Sequence, residues 1–277
     1  MTTSNVTRLL FLGDIFGNPG RSAVKDHLPM LKEKLKLDFV IANSENATGG
    51  FGLNKDKAND IFGYGVDVAT LGNHTWDQKD VFEMLQHDKR ILRPINYPPG
   101  TVGKGYRVFT ANNGKRIAVV NMLGRLFMEP YLDCPFQASR ELQRETKLGD
   151  DYDMMLVDVH AETTSEKRGL GYIWDGKASI VVGTHTHVPT ADAHVMEKGT
   201  GFHTDTGMCG TFNSCIGLAF ESTIPRFERK GKFPFQASSK GEPTLCATYA
   251  EIGDDGLCKR IEMVRVGGLL QESIPEL

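Results

Sequence analysis

Five short apolar runs in this chain each end in residues that can bind a metal ion or move a proton. Thr7–Leu12 is followed by Gly13-Asp14, and Phe39–Asn43 runs into Ser44-Glu45-Asn46. Val66–Leu71 leads to Gly72-Asn73-His74, Met154–Val159 to His160, and Ser179–Gly183 to Thr184-His185-Thr186-His187. Carboxylate and amide oxygens with neutral imidazoles suit borderline or hard divalent ions such as Mn, Fe or Zn. The set offers too many donors for one tetrahedral ion and suits two ions that share a bridge. Two metals roughly 3.5–4 Å apart can hold a hydroxide and clamp both oxygens of an in-line phosphoryl displacement.

Residues so far apart in sequence meet only if the runs are neighbouring parallel strands, whose C-terminal ends form the ligand edge of an α/β sheet. The runs are nearly continuous in apolar residues, as in strands covered on both faces, and Arg116–Met122 is a sixth of the same kind. A helix is expected over Arg21–Lys36, with Val24, Leu28, Leu31 and Leu35 on one face; Pro29 should kink it or mark its start. A second helix follows Asn54, with Ala58, Ile61 and Phe62 inward. A third follows Asp77 as N-cap, with Val81, Phe82 and Leu85 on one side. Thr184–Glu228 reads as loops with short strands, and Thr244–Ile252 and Arg260–Val266 as late strands. The fold class expected is layered α/β, in one domain over residues 1–277.

Composition sets the outer bounds. With 277 residues, 40% hydrophobic and 24% charged, the chain is neither disordered nor fibrous. A net charge of −3 argues against stable nucleic-acid binding by charge alone, although a small anionic substrate is compatible with it. The apolar run at Leu9–Leu12 is too short for a signal-peptide core, and no run of about 18 apolar residues suggests a membrane span. The five cysteines include no C-x-x-C pair and fit reduced thiols in a cytoplasm.

Ordinary readings compete with each motif. One strand-end histidine such as His160 is more often a satisfied polar group than a ligand; the weight lies in five motifs together. Gly13–Arg21 lacks the G-x-G-x-x-G spacing of a dinucleotide loop, and Arg21 is either a phosphate contact or a surface ion pair. Thr163–Ser165 could face substrate but more often such hydroxyls bind water or backbone. His27 and His87 read as surface residues, and His194 and His203 receive no role. The basic cluster Arg226–Lys232 reads as a solvated loop, with a phosphate-steering rim or subunit contact as the minority reading.

The ordered set Gly13-Asp14, Gly72-Asn73-His74, His160 and Gly183–His187 resembles the motifs of calcineurin-like metallophosphoesterases. Asp14-Ile15-Phe16 lacks the histidine of the superfamily's D-x-H, and Asn43–Asn46 offers Glu45 where a bridging Asp is usual. Both departures resemble the bacterial YmdB-like subfamily, as do G-D-I-x-G-x-x-G-R over Gly13–Arg21, S-E-N over Ser44–Asn46 and T-D-x-G-M over Thr204–Met208. The resemblance implies a four-layer α/β/β/α sandwich and two divalent ions, with Fe or Mn ahead of Zn. It implies that Asp14, Asn46 and His187 hold the first ion, that Glu45 bridges, and that Asn73, His160 and His185 complete the second. It also implies that His74 binds no metal but assists departure of the leaving oxygen, and that the chain forms a homo-oligomer. The expected activity is hydrolysis of cyclic or diester nucleotides, of the 2′,3′-cyclic class, by a metal-bridging hydroxide. The rivals are a phosphomonoesterase or nucleotidase on the same scaffold, and a regulatory or RNA-associated protein with a vestigial metal site.

Overall fold

A computed structural model describes residues 6–231 and 233–277. The first half alternates strands and helices: β1 (Thr7–Leu12), β2 (Asp14–Ile15), α1 (Gly17–Lys34), β3 (Phe39–Asn43), α2 (Lys55–Gly63), β4 (Val68–Thr70), α3 (Val81–His87) and β5 (Ile91–Leu92). Next come β6 (Tyr106–Thr110), β7 (Arg116–Leu123), α4 (Pro135–Glu145), β8 (Met154–His160), α5 (Thr164–Trp174) and β9 (Ile180–Thr184). Short strands β10 (His194–Val195), β11 (Gly201–His203) and β12 (Met208–Cys209) precede α6 (Phe220–Phe227), β13 (Leu245–Ile252) and β14 (Cys258–Val266).

Two six-stranded sheets result, ordered β14-β13-β1-β3-β4-β5 and β10-β11-β9-β8-β7-β6. Strands β1, β3, β4 and β5 run parallel in the first, and β7, β8, β9 and β11 in the second. Antiparallel strands lie outside them: β13 and β14 on one side of the first sheet, and β6 and β10 at the two edges of the second.

Alternation along each strand shows why the runs are continuously apolar. Leu9, Phe11 and Ile41 of the first sheet pack against Val119, Leu156 and Val182 of the second. Leu10, Leu12 and Val40 point the other way, onto Val24, Leu28 and Leu31 of α1 and Ile61 of α2. On the far side, Val120, Val157 and Val181 meet Leu142 of α4 with Leu170 and Trp174 of α5. Both sheets are therefore sandwiched, giving the expected α/β/β/α layers. Each fully buried Leu, Val or Ile contributes about 1.5–3 kcal/mol, so the layering is fixed by many such side chains.

The helices differ from expectation in three details. Helix α1 begins at Gly17 and runs unbroken past Pro29. Pro29 and Lys25, whose carbonyl loses its partner, both lie on the solvent side, where water can take the free carbonyl. Asp80, not Asp77, flanks α3. On that helix Val81, Met84 and Leu85 are buried whereas Phe82 is 59% exposed, because the i, i+3, i+4 face excludes it.

Candidate metal centre

The inner faces of the two sheets turn polar at, or one pleat before, their C-terminal ends. Asn43, Thr70, Asn121, Asp158 and Thr184, from five strands, are all fully buried. Asp158 gathers them: it accepts from Thr70 Oγ1 at 2.6 Å, Thr184 Oγ1 at 2.7 Å and Asn43 Nδ2 at 3.1 Å. Burial raises the Asp158 pKa even though His160 and these donors pull it down.

The next layer holds the expected donors. His160, the last residue of β8, has Nε2 2.9 Å from Glu45 Oε1, 3.0 Å from Asn73 Oδ1 and 3.1 Å from His185 Nδ1. Glu45, His160 and His185 each present one ligand atom within 4.8 Å of the others, a group that could hold a metal ion. Beside it, His187 Nε2 lies 3.3 Å from Asn46 Oδ1 and 3.8 Å from Asp14 Oδ1. All seven residues expected as ligands thus meet at one edge, from β2, two loops, β8 and the segment after β9.

Each ring nitrogen pointing away from this centre is already used. Thr184 gives its hydroxyl proton to Asp158, so it accepts from His160 Nδ1, 2.9 Å away. His185 Nε2 faces Glu162 Oε2 at 3.1 Å, and His187 Nδ1 donates to the Ile216 carbonyl at 2.8 Å. These partners fix the tautomers so that, in the neutral rings, His160 Nε2, His185 Nδ1 and His187 Nε2 carry the lone pairs that face the centre, the arrangement typical of metal-binding histidines. Sequence reasoning missed Asp158, Glu162, Thr184 and the Ile216 carbonyl as orienting groups. Only Asp158 carried a usable signal: two residues before His160 on the same strand, it shares that face.

Asp14 supplies an independent test of fit. Its Oδ2 accepts from the His185 backbone N–H at 3.1 Å, whereas its Oδ1 is buried with no hydrogen-bond partner among the described residues. A buried carboxylate oxygen left bare costs about 1–3 kcal/mol or more, and burial accordingly pushes the Asp14 pKa well up. Burial also drives His185 down to about 3, helped by neighbouring His160, and lowers His187. At Glu45 burial acts upward, but the charge and hydrogen bond of His160 prevail and hold the carboxyl at about 2. Burial disfavours charge on His160, yet Glu45, Asp14 and Asp158 keep its proton up to about 9. Cation, proton and carboxylates thus compete for one small volume, and a divalent ion would satisfy Asp14 Oδ1 as well as the free imidazole nitrogens. The residues fit such an ion.

Local backbone serves this convergence. His185 and His187 lie beyond β9 rather than within a regular strand, with φ of 98° and 65°. Such left-handed conformations are costly for non-glycine residues, and they send the two rings to different sets of donors. Asp205 of the T-D-x-G-M segment clamps the residue between them, accepting from Thr186 N and Oγ1 while ion-paired with buried Lys167 at 2.6 Å. Gly72 is required because a Cβ there would lie 2.3 Å from Glu45 Oε2.

His74 stands at the rim. Its backbone N–H donates to Glu45 Oε2 at 2.9 Å, and its Nδ1 pairs with Asp77 Oδ2 at 2.7 Å, leaving Nε2 free. Asp77, expected as a helix cap, is therefore an orienting carboxylate. A cavity of about 240 Å³ connects His74 with Glu45, Asn46, His185 and His187, and Phe16, Phe51 and Ile216 form its apolar wall. Arg21 reaches neither cavity nor a carboxylate; it donates to the Ala47 carbonyl and so ties α1 to the Glu45-Asn46 loop. Thr164 and Ser165 open α5 and do not line the cavity. His203 is buried between Thr248 Oγ1 and the Thr190 carbonyl. Of the basic cluster, Lys232 lies outside the described residues. Among the described residues no helix is long and apolar enough to cross a membrane.

Residues 10–264 match the family described as YmdB-like protein. A 2′,3′-cyclic-nucleotide 2′-phosphodiesterase of Bacillus subtilis is 43% identical over 94% of this chain and 96% of its own length. A crystal structure of a hypothetical protein from Thermus thermophilus superposes with a TM-score of 0.88 at 42% identity, covering 95% of this chain and 100% of the other. A structure described as a novel phosphatase from Mycoplasma pneumoniae gives 0.89 at 35% identity, covering 96% and 95%.

Proposed function

This chain belongs to the YmdB-like family, and from that premise we propose that it is a phosphoric ester hydrolase. Its substrates are cyclic or diester nucleotides, with the 2′,3′-cyclic class first, and it works with two divalent ions. The observation that carries the reading is His74, a histidine with one nitrogen fixed by Asp77 and the other free, beside a cluster of donors suited to metal. The relative from Bacillus subtilis, named for 2′,3′-cyclic nucleotides, supports the substrate class.

Glu45, Asn73, His160 and His185 would hold one ion; Asp14, Asn46 and His187 the other, with Glu45 shared. The donor chemistry admits Fe, Mn or Zn, and the family resemblance puts Fe or Mn ahead. When bound, such ions neutralise phosphate oxygens and make water a nucleophile at neutral pH. The protein's own part is to orient and to move a proton. Thr184, Glu162 and the Ile216 carbonyl set the three imidazoles. Asp77 sets His74, whose Nε2 delivers a proton to the departing alkoxide. Phe16 and Phe51 keep the pocket partly dry, which strengthens every charge interaction within it.

His74→Ala, with metal content verified by elemental analysis, should lower kcat by about 10²–10⁴-fold, the usual contribution of a general acid. An unchanged kcat overturns the role. The Mycoplasma pneumoniae structure described as a phosphatase favours a second reading, hydrolysis of monoesters. Parallel assays on bis-p-nitrophenyl and p-nitrophenyl phosphate separate the two.

A further inference from the structure

The cavity at the metal centre, about 240 Å³, is below the roughly 300–1,000 Å³ of pockets that enclose drug-sized ligands. It can take a phosphate and part of a sugar, so the remainder of a nucleotide must lie outside it. In a 2′,3′-cyclic nucleotide the alkoxide that receives a proton belongs to the ribose. The nucleobase must therefore leave the cavity on the His74 side.

On that side the structure holds a row of rings. Phe51 packs edge-on to His74, with centroids 5.1 Å apart at 85°. The next ring outward is Phe235, 6.0 Å from Phe51 and tilted by 33°. The Arg226 guanidinium lies 4.0 Å from the Phe235 centroid and donates from Nη1 to the Phe233 carbonyl at 2.6 Å. This bond holds the guanidinium beside the ring. Gln78 Nε2 donates to the Phe51 backbone carbonyl at 2.6 Å and so ties down the loop that carries the ring. The glycines beside it, Gly50 and Gly52, have φ of 99° and 75°, which lets the loop turn sharply and present the ring. Yet Phe235 remains 43% exposed. A half-buried ring that leads outward to an exposed one, beside a polar site, offers an apolar surface to a flat ligand.

We propose that Phe51, Phe235 and Arg226 form a nucleobase-stacking ledge, which selects nucleotides over phosphodiesters that lack a base. The proposal rests on the nucleotide phosphodiesterase reading above. Stacking is tolerant of base identity, because every base has a π-face, so the ledge would favour bases as a class. Arg226 adds a cationic plane against the outer ring and a guanidinium edge toward solvent.

The test compares 2′,3′-cyclic AMP with methyl riboside 2′,3′-cyclic phosphate, which keeps the cyclic phosphate and lacks the base. Metal-loaded wild type should prefer the nucleotide. Phe235→Ala should lower kcat/KM for the nucleotide by about ten- to a hundredfold, mainly through KM, and change the base-free ester less than threefold. Phe235→Trp should restore the preference. Equal losses on both esters, or no loss on either, overturn the ledge while leaving the phosphodiesterase reading standing. Equal losses with a changed molecular mass in solution also overturn it, because the rings would then serve contact between copies. Failure of wild type to hydrolyse either ester removes the phosphodiesterase reading and the ledge with it.

Discussion

The two halves of the candidate metal centre are built differently. Around His160 Nε2, Glu45, Asn73 and His185 converge at 2.9–3.1 Å, and His160 is set by a buried Thr184–Asp158 chain in the sheets. Around His187 the donors stand farther off, at 3.3 Å from Asn46 and 3.8 Å from Asp14. They come from β2 and two loops. The first half is preorganised by the scaffold, whereas the second has an unsatisfied carboxylate oxygen and gaps that an ion would draw in. Affinity should follow preorganisation, because a site already in shape loses less freedom on binding.

The largest effect should come from breaking the tight half. His160→Ala removes the nitrogen on which three donors converge and leaves Glu45 facing other acidic groups. Elemental analysis should show both ions lost, since Glu45 would serve both, and activity should fall by more than about 10³-fold, or about 4 kcal/mol. Retention of one ion per chain at full strength would show that the halves do not depend on each other.

His187→Ala tests the loose half. It should lower metal content from two ions to one per chain, with the survivor bound by Glu45, Asn73, His160 and His185. A fall in activity of about a hundredfold is expected, smaller than for His160. Loss of both ions in this variant would overturn the difference in preorganisation between the halves.

Asp77→Asn acts on neither ligand set. It removes the carboxylate that orients His74 and should lower kcat by about ten- to a hundredfold, the range for losing an orienting partner. Metal content should stay unchanged, which separates proton delivery from metal binding. An equal fall in bound metal would place Asp77 in the support of the ions.

The candidate ligands were legible in the sequence because a strand buried on both faces is a continuous apolar run, and its end is the point where polar residues begin. That logic found Asp14, Glu45, Asn73, His160, His185 and His187 without any contact information. It did not reveal that His185 and His187 leave the strand in left-handed conformations, since period-two spacing reads the same in a strand or a bend. Asp77 before an apolar helix has the look of a cap; only the turn closed by its N–H on the His74 carbonyl, at 3.2 Å, reveals its partner. Helices α4 and α5 escaped notice because charged and polar residues interrupt their apolar faces: Leu142 stands almost alone in α4. The role of Arg21 depends on a carbonyl, which no side-chain pattern marks.

His203 provides the control for both halves, because it is as buried as His160 but has no free nitrogen. Its Nε2 donates to the Thr190 carbonyl at 2.9 Å, and its Nδ1 accepts from Thr248 Oγ1 at 2.8 Å. The neutral ring is satisfied, and burial lowers its pKa in spite of the Thr190 carbonyl and nearby Asp205 and Asp192. A histidine lowered in the folded state stabilises the protein above its unfolded pKa, about 6.5, and that contribution is lost as pH falls through and below that value. The slope for one such group is at most about 1.4 kcal/mol per pH unit. Thermal unfolding of metal-loaded protein should therefore show Tm dropping between pH 7.5 and pH 5.5. His203→Gln can keep one donor and one acceptor without titrating, so it should start from a lower Tm at pH 7.5 and show a smaller drop. An equal drop in both proteins would assign the acid sensitivity to the histidines of the candidate metal centre, where protons and ions would compete, and would remove His203 as the neutral reference.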